Sequence, residues 1–168
     1  LTDVTGVQTC ALPIWFKPLS AKLSQELEDA ISETYGFHFT SLLEELALVP
    51  MRKMENIQLI PQVYLDNFST LPYNAIGMPL GRFIRDQLEV SVEFILRFGS
   101  QFSNNVWQMP EELVEKWMKG FDIRGIDPEG ISSGTVIAIR DEEGNNLGAA
   151  KYSNKRLRNL LPNRHISH

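Results

Sequence analysis

The sequence predicts an α+β protein: a small α/β part followed by a small mixed β-barrel. Three observations carry this. Pro18 to Tyr35 has apolar residues Leu19, Leu23, Leu27, Ala30 and Ile31 at three- and four-residue spacing, the period of a helix with one buried face. Gly134 to Arg140 is rich in β-branched residues and meets the turn formers Asp141 to Asn145, and a second short run from Leu147 to Tyr152 follows, which is a hairpin signal. The roughly sixty residues around that hairpin read strand, helix, strand, hairpin. With 43% hydrophobic residues the chain can bury a core. No apolar run approaches bilayer length, so the expectation is a soluble protein.

Taken in order, residues 1–14 stand apart from the rest. Val4 to Ile14, VTGVQTCALPI, looks like a translated sequencing adaptor, and it lacks the basic start and unbroken apolar run of a signal peptide. On that reading the single cysteine, Cys10, is no part of the native chain. The remainder then has no disulfide, thiolate metal site or cysteine nucleophile. Ser20 is a plausible helix N-cap, and the helix ends near Tyr35-Gly36. Phe37, Phe39, Leu42 and Leu43 supply core, and His38 has no second ligand at metal spacing. Leu46 to Val49 and Ile57 to Ile60 read as strands around a turn at Arg52 to Asn56, and Pro61 opens a short helix through Phe68.

Gly77 and Gly81 interrupt an apolar strand pattern from Tyr73 to Ile84, the mark of a bulge or close backbone approach. Their spacing lacks the following Lys-Ser/Thr of a phosphate loop. Asp86 to Phe98 is ambiguous between strand and helix; the flanks favour a helix from about Ser91 to Arg97, stopped by Gly99. The polar run Gly99 to Asn105 is the linker candidate, dividing residues 15–103 from 104–168. Beyond it, Val106 to Met109 reads as a strand. A helix then has Pro110 at its first position, Glu111 and Glu112 in its first turn, and Gly120 just past its end.

Charge is distributed unevenly. The chain has 16 Lys+Arg and 21 Asp+Glu, but residues 151–168 hold five of the former and none of the latter, leaving residues 1–150 at −10. One localised basic patch on an acidic body engages a polyanion through counterion release while discouraging diffuse adsorption. Lys151, Lys155, Arg156, Arg158 and Arg164 are the candidate phosphate contacts, since no carboxylate is near them in sequence. Tyr152 is a candidate stacking platform or a core residue; Asn154 and Asn159 read bases or close turns. Arg82 and Arg85 are weaker candidates, and Gly134 and Gly148 are read as structural.

The order of the second half resembles the PUA domain, an RNA-binding module. Phe16 to Ser20 before an acidic helix, Ile57 to Ile60 before a short helix, Ala75 to Phe83, and Val106-Trp107 leading to Trp117 to Gly120 together resemble the Nip-seven family of ribosome-biogenesis factors. In that family a pre-PUA domain precedes a PUA domain. Leu147-Gly148, Lys151 and Arg156 to Pro162 are similar to the PUA-like tail of the Fmu/Sun RNA cytosine-5 methyltransferases, although Ala150 stands where that tail has a glycine, and Asn163 to His165 depart from the biogenesis-factor ending.

These resemblances imply RNA binding by the basic edge of a PUA-like sheet, in ribosomal RNA processing or assembly. They imply a cytoplasmic protein, or a nucleolar one in a eukaryote, with ribosomal RNA and assembly proteins as partners and neither DNA nor membrane. No metal, cofactor or catalytic residue is expected: Glu44-Glu45 and Asp141 to Glu143 read as a solvated face and a turn, and no nucleotide loop, catalytic triad or methyltransferase Pro-Cys nucleophile is present. The rival readings are the RNA-binding part of a truncated methyltransferase and a protein-interaction adaptor.

Overall fold

The computed structural model describes residues 16–68, 76–84 and 87–162. Residues 1–14, with Cys10, and the candidate contacts Arg85 and Arg164 lie outside them.

The first half opens with β1 (Lys17–Pro18) and α1 (Ala21–Tyr35). The Ser20 side chain accepts a hydrogen bond from the Leu23 amide at 3.3 Å, and Gly36 (φ 59°) closes the helix in the left-handed conformation. Of the predicted stripe Leu27 and Ile31 are buried, and Tyr35 extends the buried face. α2 (Phe39–Glu45), β2 (Leu48–Lys53), β3 (Asn56–Pro61) and α3 (Gln62–Phe68) follow, with β2 and β3 joined by a two-residue turn at Met54-Glu55. β4 (Met78–Ile84) and β5 (Gln87–Val90) complete an antiparallel sheet in the order β1-β2-β3-β4-β5.

Both glycines flagged in the sequence are required by backbone approach. A Cβ on Gly77 (φ 77°) would lie 2.4 Å from the Leu59 carbonyl oxygen, and one on Gly81 would lie 2.4 Å from that of Glu89. The β3–β4 register shifts between Ile57 and Gln58, the expected bulge.

The ambiguous run at 86–98 is both things in turn. β5 ends at Val90, and Ser91 converts strand into helix: its hydroxyl donates to the Pro79 carbonyl at 2.6 Å and accepts from the Phe94 amide at 3.1 Å, capping α4 (Val92–Phe98).

In the second half, β6 (Val106–Gln108) leads to α5 (Glu111–Met118), β7 (Ile123–Arg124), β8 (Val136–Arg140), β9 (Asn146–Ser153) and β10 (Arg156–Asn159). Pro110 is the cap of α5 rather than its first residue, and Gly120 (φ 82°) follows the end as predicted. The sheet order is β6-β8-β9-β10-β7, with β6 parallel to β8 and the other pairs antiparallel. The sheet curls as a half-barrel over Trp117, which is fully buried and donates its indole N–H to the Leu147 carbonyl at 2.9 Å. Helices with two sheets make the protein α+β, as predicted.

The polar linker candidate Gly99 to Asn105 is a fastened seam. Its amides at Ser103 and Asn104 both donate to the Tyr35 carbonyl, the Asn105 side chain donates to the Thr34 carbonyl, and Arg140 donates to the carbonyls of Gly99 and Phe102. Phe102 is buried and stacks among Tyr35, Phe37 and Phe94 at ring-centroid distances of 4.5 to 6.1 Å. The same apolar cluster takes in Ala138 and Ala149 of the second sheet. These small side chains let α4 lie close to β8 and β9, and Asn146 donates to the carbonyls of Ile95 and Leu96 at the end of that helix. Among the described residues, no helix is long and apolar enough to cross a membrane.

Candidate nucleic-acid interface

The candidate surface follows from strand alternation. In β9 and β10, Tyr152 and Leu157 are partners across the ladder and face the Trp117 core, with Ile123 of β7 beside Leu157. Successive side chains on a strand alternate between faces, so Lys151, Arg158, Arg156 and Arg124 share the opposite face. Lys151 lies directly across from Arg158, and Arg156 directly across from Arg124. All four are exposed. The cationic ledge read from the tail is therefore one face of a three-stranded corner.

Its two ends differ in electrostatics. Arg156 pairs with Asp122, its Nε donating to Oδ2 at 2.9 Å, while Oδ1 accepts from the Asn159 amide at 2.8 Å. Partial burial acts to raise the Asp122 carboxyl; the Arg156 hydrogen bond, the Asn159 amide and the charges of Arg156 and Arg124 outweigh it and hold the group below the usual carboxylate range. Lys155 lies 3.3 Å from Asp127, which also accepts the Tyr152 hydroxyl at 2.6 Å. The Tyr152 hydrogen bond and then Lys155 lower the Asp127 carboxyl, and the same bond raises the tyrosine hydroxyl. The expectation that no carboxylate competes for these cations is thus corrected at Lys155 and Arg156. Lys151 and Arg158, by contrast, have no ion-pair or hydrogen-bond partner among the described residues.

The remaining candidates sort by burial and bonding. Tyr152 is 6% exposed, so its ring is core and offers no stacking platform. Asn159 donates to the Trp117 carbonyl at 2.8 Å and accepts from the Leu161 amide, which makes it a structural cap on the end of α5. Asn154 (φ 50°) and Lys155 (φ 56°) form the two-residue turn between β9 and β10, the conformation that favours asparagine there. Arg82 is exposed but pairs with Glu89 at 2.7 Å. Gly148 is structural, since a Cβ there would lie 2.6 Å from Leu161 Cδ2. Ala150 is fully buried on the core side of β9.

A groove of about 480 Å³ runs beside this surface. Lys151, Arg158, Val136 and Leu160 form its wall on the second sheet; Asn56, Gln58, Arg82 and Glu89 line it on the first. A second hollow of about 800 Å³ lies against Glu33, Thr34, Ser133 and Thr135, and Lys151 borders both. Arg124, Asn56 and Gln58 were not among the candidates from sequence. The signal available for them was alternation: Asn56 and Gln58 interleave with buried Ile57 and Leu59, and Arg124 follows buried Ile123. Among the described residues, no cluster of three or more His, Cys, Asp or Glu is placed to hold a metal ion.

No protein-family model matches this chain, and no curated protein matches it in sequence. Among solved structures, the chain is similar to a hypothetical protein from the hyperthermophilic archaeon Pyrococcus horikoshii OT3. The two share 13% identity at a TM-score of 0.48, over 85% of this chain and 91% of the other.

Proposed function

We propose that this chain is a noncatalytic RNA-binding protein with a PUA-like second half, acting in ribosome assembly within the cytoplasm, or the nucleolus in a eukaryote. The observation that carries the reading is the pair Lys151 and Arg158: two exposed cations directly opposite on adjacent strands, without an ion-pair partner among the described residues, at the rim of a groove. Like charges placed so are mutually destabilising, and a phosphate between them removes that cost. Arg156 and Arg124 extend the same face, while the net −10 of residues 1–150 disfavours polyanions elsewhere. The mechanism is positioning: the cationic corner docks a structured ribosomal RNA and sets its register.

The test is RNA affinity over a salt series for the wild-type chain and for Lys151→Glu/Arg158→Glu. The wild type is expected to show a log–log slope of about −0.7 to −0.9 per phosphate contacted, and the variant to lose most of its affinity. Equal binding by both proteins sinks the reading.

One observation favours a protein partner as a second role. α3 has no buried residue and leaves Val63 59% and Tyr64 43% exposed, an apolar surface suited to an assembly protein. A pulldown whose partners all disappear on nuclease treatment would remove this second role. The cationic face would serve equally as the RNA-docking part of a cytosine-5 methyltransferase, and the uninterrupted gene distinguishes the two by what it encodes upstream.

A further inference from the structure

The groove beside Lys151 and Arg158 is polarised across its width. One wall carries the two cations, which have no side-chain partner among the described residues. The other carries the side-chain amides of Asn56 and Gln58, and the carboxylates of Glu89 and Glu93 line it as well, with Arg82 there paired to Glu89. Neither amide has a hydrogen-bond partner among the described residues, although Gln58 is half-buried and held in place by the β3–β4 ladder. A side-chain amide is both donor and acceptor, and a carboxylate accepts from exocyclic amines but repels phosphate. The volume, about 480 Å³, falls in the range of roughly 300–1,000 Å³ that holds small-molecule-sized groups.

On the strength of the RNA-binding reading, we infer that this groove is a nucleotide-reading site for single-stranded RNA. Lys151 and Arg158 hold one phosphate, and Asn56 and Gln58 read the edge of the base attached to it. A duplex keeps its base edges paired and stacked, out of reach of a pocket this narrow; a single strand splays them out. Specificity is then set by the first sheet and affinity by the second. The site is complete only because the seam at Gly99 to Asn105 holds the two sheets against each other.

The experiment is fluorescence anisotropy with labelled eight-nucleotide homopolymers of A, C, G and U and a duplex of equal length, using the full chain. The wild type is expected to bind single strands over the duplex and to favour one homopolymer by about tenfold. Asn56→Ala/Gln58→Ala should level the homopolymers to within about twofold and leave the salt slope unchanged. Gln58→Glu keeps the shape but replaces the donor with an acceptor, so it should shift preference toward adenine, cytosine and guanine, whose edges present exocyclic amines, and away from uracil. A double-alanine variant that keeps the wild-type ranking, or a wild type that prefers duplex or shows no ranking, overturns the inference while leaving RNA docking intact. Unchanged binding by Lys151→Glu/Arg158→Glu instead overturns the docking surface itself, and this inference with it.

Discussion

The two ends of the cationic corner have similar composition and different physics. At the turn end, Lys155 and Arg156 face Asp127 and Asp122 and are held by the protein's own carboxylates. At the groove end, Lys151 and Arg158 face each other without one among the described residues. A cation already paired must be released before it can neutralise a phosphate, so under the proposed function the turn end contributes mainly to folding and the groove end to binding. Counting basic residues merges these roles; locating their partners separates them.

The largest effect should come from reversing charge at the groove end. Lys151→Glu/Arg158→Glu is expected to reduce RNA affinity by about a hundredfold and the magnitude of the salt slope by about 0.7 to 0.9, the share of the one phosphate the pair holds. Its thermal midpoint should barely move, which a melting curve checks. Next is the turn end. Asp122→Ala removes the acceptor of both Arg156 and the Asn159 amide and should cost about 1–2 kcal/mol in urea unfolding, with RNA affinity unchanged or slightly higher as Arg156 is released. An affinity loss matching that of the groove-end variant would erase the distinction.

Tyr152→Phe is a smaller probe of the same end. It leaves the buried ring in place and removes the hydroxyl bond to Asp127, with a small loss of stability that urea unfolding reads; RNA binding should be unaffected, because the ring is core. Acid titration sharpens the contrast further. Asp122 and Asp127 have folded pKa values below their unfolded ones, so the unfolded chain binds more protons in that window and stability rises with pH through it. Their contribution is complete above the ordinary carboxylate range and is lost as pH falls through the depressed values. Asp122→Asn should flatten that acid limb of the stability curve. The smallest expected effect is Lys151→Ala on stability, within about 0.5 kcal/mol, as for an exposed side chain without partners.

Much of the fold was legible because it is locally encoded. Ser20 and Ser91 cap helices, Gly36 and Gly120 end them, and the Gly134 to Tyr152 stretch is the predicted hairpin. The 86–98 run resisted assignment because β5 and α4 share it, and only the Ser91 hydroxyl, bonded to Pro79 on a neighbouring strand, marks where one becomes the other. The Gly99 to Asn105 stretch lies between the strands of the two sheets, and what no local rule supplies is that its polar groups bond the carbonyls at the end of α1.

By itself the amino-acid order determined the element types, the α+β class and the existence of a basic C-terminal face, since capping, alternation and charge density are properties of neighbouring residues. Tertiary structure decided which cations are available. Asp122 lies thirty-four residues before Arg156, so no local rule pairs them. The register that turns Tyr152 into the core and Lys151 out of it depends on which side of the sheet Trp117 covers. Asn56 and Gln58 meet Lys151 and Arg158 only across two packed sheets, because burial of the shared core, not proximity along the chain, brings the walls of the groove together.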